Sequence, residues 1–214
     1  MSDVVPGEGH FSITLEPLPR LEDRIPLGEL ERRVLNATVS LRGWPYPHTA
    51  DIAALDAGIE STTRGMGYRE RWRLLGSGFF AHRWQIREDR INSRTGTLDF
   101  INALWSLTEV WTFARRLYGE DGTVERLRVT LAIDGLRGRR LTGAPEYYLP
   151  IRALPSADDE FNREVTVTRP RLLADADRFP IEWSLSLFHR MGATGIAPDT
   201  LREHQLRLLE RRFG

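Results

Sequence analysis

"LDFINALWSLTEVWTFARRLYG", residues 98–119, is the stretch on which the fold turns. Over 98–118 the periodicity predicts one long helix. Ile101, Leu104, Trp105, Trp111 and Leu117 cover much of its surface, while Asn102, Ser106, Glu109 and Arg116 share one face. A helix this apolar has to be buried, and a sheet face is the natural cover. Gly119 is placed to stop it.

The flanking sequence supplies the sheet. "HFSITLEPLP" alternates Phe11, Ile13 and Leu15 with polar residues, a half-buried strand ended by Pro17. Pro26 opens a helix over 26–37, with Leu27, Leu30 and Val34 on one stripe. "TVSLRGW" reads as a short strand. Three more strands follow near 57–64, 68–75 and 79–88, parted by Gly65 and Gly67 and then by Gly76 and Gly78. Short spacing with glycine turns predicts an antiparallel meander. After the long helix, "VERLRVTLAID" (124–134) puts Leu127, Val129, Leu131 and Ile133 on one side and Arg126, Arg128 and Thr130 on the other. That is a strand with one wet face. "GLRGRRL" continues or turns back as another strand, and "REVTVTRP" is the last. Helices near 180–191 and 199–212 close the chain, the second capped by Asp199. The expected class is α+β: a mainly antiparallel sheet with a long buried helix and two C-terminal helices. The expected organisation is a flexible tail at 1–9 and a single domain over 10–214.

Composition bounds the function. The 214 residues carry no cysteine, which excludes disulfides, thiolate metal sites and cysteine nucleophiles. No apolar run reaches the length of a transmembrane helix, about 18 residues, and the N-terminus does not read as a signal peptide. A cytoplasmic location is the expectation. Formal net charge is zero, so bulk attraction to nucleic acid or anionic membrane is not indicated. All 30 basic residues are arginine. Either a GC-rich genome or selection for bidentate recognition of phosphate and carboxylate accounts for that skew.

Candidate chemistry is sparse. There is no GxGxxG, no GxSxG elbow, and without lysine no standard P-loop. No histidine motif has metal-ligand spacing, so neither metal nor cofactor is expected. Alternation puts His82 on an apolar strand face with Phe80, Trp84 and Ile86; His189 and His204 read as surface positions. His48 followed by Asp51 is the nearest thing to a base with its orienter, though Asp51 is equally placed to cap a short helix in "DIAALDAG". Arginines give a stronger signal. Arg137, Arg139 and Arg140 crowd "GLRGRRL", and if that strand pairs with 124–134 they join Arg126 and Arg128 in one basic patch for phosphate or an acidic partner. A solvated sheet face with salt bridges is the alternative.

"LRGWPYPH", 41–48, is the other dense stretch. Pro45 and Pro47 hold Trp44 and Tyr46 extended and remove two backbone donors. The segment must leave the sheet, and either X–Pro bond is a place for a cis peptide. The expected placement is at a sheet edge with Trp44 buried. Either the corner is only a brace, or it displays Arg42, Trp44, Tyr46 and His48 to a partner.

Together, "LRGWPYPH", "ERWRLLGSGFFAHRWQIRED" and "TLAIDGLRGRRL" resemble a poorly characterised segment of bacterial proteins that sometimes accompanies a Schlafen/AlbA-type nucleic-acid-binding module. The likeness spans roughly residues 10–210 and carries no assigned catalytic residue. It implies a sensor, adaptor or scaffold in a bacterial multi-protein assembly, including antiphage defence, rather than an enzyme. The alternatives are a nucleic-acid-binding protein using the arginine patch, and a hydrolase or nuclease using His48 and Asp51.

Overall fold

The structure, a computed structural model, describes residues 8–65, 68–90, 96–143 and 154–211. Seven strands form one antiparallel sheet. They are β1 (His10–Leu18), β2 (Ile52–Leu55), β3 (Gly58–Gly65), β4 (Tyr68–Leu75), β5 (Phe80–Gln85), β7 (Arg126–Asp134) and β9 (Phe161–Thr168), in the order β2-β3-β4-β5-β1-β7-β9. Strands β3 to β5 are the expected meander, and β2 extends it at the edge. Its last strand then pairs with β1, Ile13 lying opposite His82. The class is α+β, as expected.

Strand alternation decides which face is covered. Ile13 and Leu15, Trp72 and Leu74, Phe80 and His82, and Leu127 to Ile133 at every second position are buried on one face. The opposite face is wet and laced with cross-strand ion pairs: Glu60 with Arg71 and Arg73, Arg83 with Asp134, Arg128 with Glu16. Five helices are described: α1 (Leu30–Ala37), α2 (Phe100–Tyr118), α3 (Arg169–Asp175), α4 (Arg178–Arg190) and α5 (Pro198–Leu209). The long helix α2 is buried as its composition requires. Phe113 packs on Phe80 of β5 at 4.8 Å, and on the far side Trp111 stacks on Phe179 and meets Trp183 of α4. Asp99 caps it, accepting from the backbone N–H of Ile101 and Asn102. At the other end the Tyr118 hydroxyl donates to the Gly78 carbonyl in the β4–β5 turn, where φ is +80°.

Several local expectations are corrected. "TVSLRGW" is not a strand: a single bridge joins Val39 to Tyr46, and the chain turns back at Gly43, whose φ is +87°. "DIAALDAG" is not a helix; four of its residues form edge strand β2, since so short a stretch gains too few helical bonds to nucleate. "GLRGRRL" does not pair with β7. Its end, β8 (Arg140–Thr142), pairs in parallel with β6 (Thr97–Asp99) in a separate two-stranded ladder. Thr168 and Pro170 end β9 and also open α3, which the sequence reading lacks. Asp199 is not the cap of α5: Ala197 holds that position, and Asp199 pairs with Arg202 inside the first turn. Most of the expected 1–9 tail lies outside the described residues.

Candidate ligand-binding cleft

The 41–48 loop lies over the covered face of β4 and β5, interior strands, rather than at a sheet edge. With the N-terminal part of α2 and the turn at Arg87–Arg90 it walls a cleft of about 390 Å³. That size lies in the range typical of small-molecule sites. Arg42, Trp44, Pro45, Tyr46 and His48 line it from the loop; Phe11, Trp84 and Gln85 from the sheet; Asn102 and Ser106 from α2; and Arg87, Glu88 and Arg90 from the turn.

Within the loop the inward residue is Tyr46, not Trp44. Tyr46 is buried against His82, Trp84 and Phe113 at 5.1 to 5.9 Å. The peptide between Tyr46 and Pro47 is cis. Trp44 is half-buried, with the Arg42 and Arg87 guanidiniums over its ring at 5.1 and 5.7 Å. A planar cation on an indole face gains cation–π attraction and is held in orientation. Arg42 then turns inward. Its Nε donates to Glu109 Oε1 at 3.1 Å, its Nη2 donates to Glu109 Oε2, and the same Nη2 reaches Ser106 Oγ at 3.3 Å. The polar stripe on the otherwise apolar α2 faces this loop for that reason.

A second polar chain runs beneath the loop. His48 donates its backbone N–H to Glu70 Oε1 at 2.9 Å, and its Nδ1 lies 2.6 Å from Glu70 Oε2. His82 Nε2 sits 2.9 Å from Glu70 Oε1, an ion-pair contact rather than an aligned hydrogen bond. His82 Nδ1 meets the Tyr46 hydroxyl at 3.0 Å. Trp72 Nε1 donates to the His48 carbonyl at 2.6 Å. Burial alone raises the pKa of Glu70, yet the His82 charge and the His48 hydrogen bond outweigh it and hold the carboxyl far below its ordinary value. An ionised Glu70 only accepts, so His48 carries a proton on Nδ1, which in the neutral ring puts the lone pair on Nε2.

The turn contributes the opposite balance. Burial lowers the pKa of Arg87, and repulsion from Arg42 and Arg90 adds to it, against partial offset by Glu88 and Asp99. Arg87 donates to Asn102 Oδ1 at 3.0 Å, an uncharged acceptor. Burial raises the pKa of Glu88, opposed by the Asn102 amide that donates to it at 2.8 Å. Two acceptors on the cleft wall, Gln85 Oε1 and Thr63 Oγ1, are buried with no hydrogen-bond partner among the described residues.

The sequence-nominated residues therefore divide. Arg42, Trp44, Tyr46 and His48 come together in the cleft. Asp51 is exposed at φ +55°, and the carboxylate on His48 is Glu70 instead. Arg126, Arg137 and Arg140 are exposed, and Arg128 pairs with Glu16 at 2.9 Å. Arg139 leaves the expected basic patch altogether: it is 2% exposed, with both Nη atoms donating to the Asp89 carboxylate at 2.7 and 2.6 Å. Its Nε donates to the Gly135 carbonyl, so it ties the turn after β7 to the Arg87–Arg90 turn. His204 is buried rather than on the surface, and burial lowers its pKa. Glu70, Gln85, Arg87, Glu88 and Glu109 were not nominated. One signal was available: alternation puts Glu70 with Trp72 and Leu74 on the apolar face of its strand, and a carboxylate there needs partners.

Among the described residues no cluster of three or more His, Asp or Glu side chains is arranged to hold a metal ion, and no helix is long and apolar enough to cross a membrane. No protein-family model matches the chain, and no curated protein matches its sequence.

Proposed function

We propose that this chain is a non-catalytic binding module, a sensor or adaptor subunit of a bacterial multi-protein assembly, and that the cleft under the 41–48 loop is where it takes its ligand. The observation that carries this reading is the cleft's buried, unpartnered acceptor, Gln85 Oε1, beside aromatic walls and fixed guanidiniums. Buried polar groups are nearly always paired, so such a group on a cleft wall supports a ligand that completes it. The likeness of the motif order to bacterial proteins of conflict systems supports the assembly and antiphage-defence part of the proposal. A thermal-shift screen against a broad metabolite panel tests the ligand. A true ligand at ~100 times its Kd stabilises by about 2.7 kcal/mol, and Gln85→Met weakens that effect. A panel with no stabilising member overturns the ligand-binding reading. Recovery of no partner from the native host overturns the adaptor reading.

The His48–Glu70 contact supports a second reading, a hydrolase in which Glu70 replaces Asp51 as the orienter. Carboxylate-held Nδ1–H with a lone pair on Nε2 is the arrangement of a general base. Turnover of a bound ligand that ceases in His48→Ala would favour it over simple binding.

A further inference from the structure

The cleft's charges and surfaces restrict what can enter it. Each carboxylate in or behind the wall has a basic or amide partner already: Glu70 has His48 and His82, Glu88 has Asn102, and Glu109 has Arg42. The cations are less evenly served. Arg87 gives its hydrogen bond to the neutral Asn102 oxygen while Arg42 and Arg90 lie close enough to repel it. Its guanidinium lies over the Trp44 indole, 5.7 Å from the ring centroid, which holds it at the cleft wall. An incoming anion relieves the repulsion; a neutral or cationic group does not. Bidentate pairing with guanidinium selects phosphate or carboxylate among anions.

The walls select the rest of the ligand. Phe11 stacks on the Trp84 indole at 5.2 Å and His82 stacks on it at 4.6 Å, so its faces are taken and this part of the wall offers ring edges. Tyr46 meets Trp84 edge-on and closes that side. A flat ring packs edge-to-face against such a wall. At its border stands Gln85, 3% exposed, whose carboxamide oxygen needs a donor.

Resting on the ligand-binding reading, we infer that the cleft takes a small anion built on a flat ring. Its phosphate or carboxylate sits against Arg87, with Arg42 behind it, and a ring N–H or O–H donates to Gln85 Oε1. Nucleotides and aromatic acids share this chemistry.

Isothermal titration of the full chain distinguishes them. The probes are the monophosphates of adenosine, guanosine, cytidine and uridine, the four uncharged nucleosides, para-hydroxybenzoate, phenol and inorganic phosphate. The expected result is binding by at least one charged ring compound, with its uncharged parent and inorganic phosphate each at least about tenfold weaker. Phosphate or carboxylate preference then identifies the source. Arg87→Met weakens that binding about tenfold or more, whereas Arg137→Met, exposed and outside the cleft lining, leaves it unchanged. Gln85→Met weakens it too, without lowering the Tm of the unligated chain, which separates a binding role from a folding one. Equal binding of charged and uncharged rings, or no effect of Arg87→Met, overturns the inference and leaves the cleft a ligand site of other chemistry. If no charged ring compound binds while the broad metabolite panel finds a cleft ligand, the inference again fails alone. If both panels fail, the ligand-binding reading falls with it.

Discussion

Removing the Glu109 carboxylate strands the Arg42 guanidinium. Glu109 is fully buried and the Arg42 side chain is 10% exposed. One cation makes two charge-assisted bonds to that carboxylate and a third to Ser106. Arg42 has no easy retreat, because Trp44 lies against it and Arg87 repels it. Losing one partner of a buried pair costs about 3–5 kcal/mol, mostly the desolvation of the ion left behind. Glu109→Ala should therefore lose about 3–5 kcal/mol. At about 2–4 °C per kcal/mol for a chain of this size, Tm falls by roughly 6–20 °C. The double variant Arg42→Met, Glu109→Leu removes both charges and should recover most of that loss, since apolar replacement of a whole buried pair is often neutral. Urea unfolding of the wild type, Arg42→Met, Glu109→Leu and the double variant at neutral pH, followed by tryptophan fluorescence and circular dichroism, yields the coupling energy directly. A loss below about 1 kcal/mol for Glu109→Ala, or strict additivity in the double variant, would refute the reasoning.

Glu70, held below its ordinary carboxyl pKa of 4.5, stabilises the fold at pH above that unfolded-state value, and the contribution is lost as pH falls through the lower folded value. Glu70→Gln should flatten the acid limb of a urea-midpoint profile below about pH 4.5; a limb as steep as that of the wild type excludes the network as its cause. Glu88 has the opposite sign. Its raised pKa means the folded state binds more protons than the unfolded one, so its contribution falls as pH rises from 4.5 towards the folded value. Glu88→Gln should thus gain stability relative to wild type at pH 7 and lose that advantage at pH 4, as the same midpoints would report. Arg139→Ala breaks a pair in which both side chains are 2% exposed and should cost about 3–5 kcal/mol, whereas Arg137→Ala and Arg140→Ala should stay within about 0.5 kcal/mol. Similar losses at all three positions would contradict the burial that separates Arg139 from its neighbours.

Strand alternation made the sheet legible. β1, β4, β5, β7 and β9 each carry a period of two strong enough to read locally, β3 is bracketed by glycine-marked turns, and α2 carries too much apolar surface to be anything but buried. The misreadings share a cause. In "TVSLRGW", "DIAALDAG" and "GLRGRRL" the local preference is weak, and non-local contacts decide: the Val39–Tyr46 bridge, the edge of β3, the parallel partner β6. The cleft divides in the same way. Its loop was visible because prolines and aromatics are locally conspicuous. Its floor was not, because Glu70, Gln85 and Glu109 acquire meaning only when strands and helix are brought together. Trp44 and Tyr46 were exchanged for that reason: both are aromatic residues before proline, and only the His82 partner below Tyr46 distinguishes which turns inward.

The central claim is that the cleft under the 41–48 loop is a ligand site, and tryptophan indole resonances test it most directly. Of the six tryptophans, Trp44 and Trp84 line the cleft, while Trp111 and Trp183 meet each other at 5.3 Å on the other side of α2. Titration of isotope-labelled protein with a ligand from the screens should move the Trp44 and Trp84 indole N–H signals in a saturable way and leave Trp111 and Trp183 in place. Saturable shifts confined to Trp111 and Trp183, or none at any indole with a ligand that binds by titration calorimetry, would contradict the account.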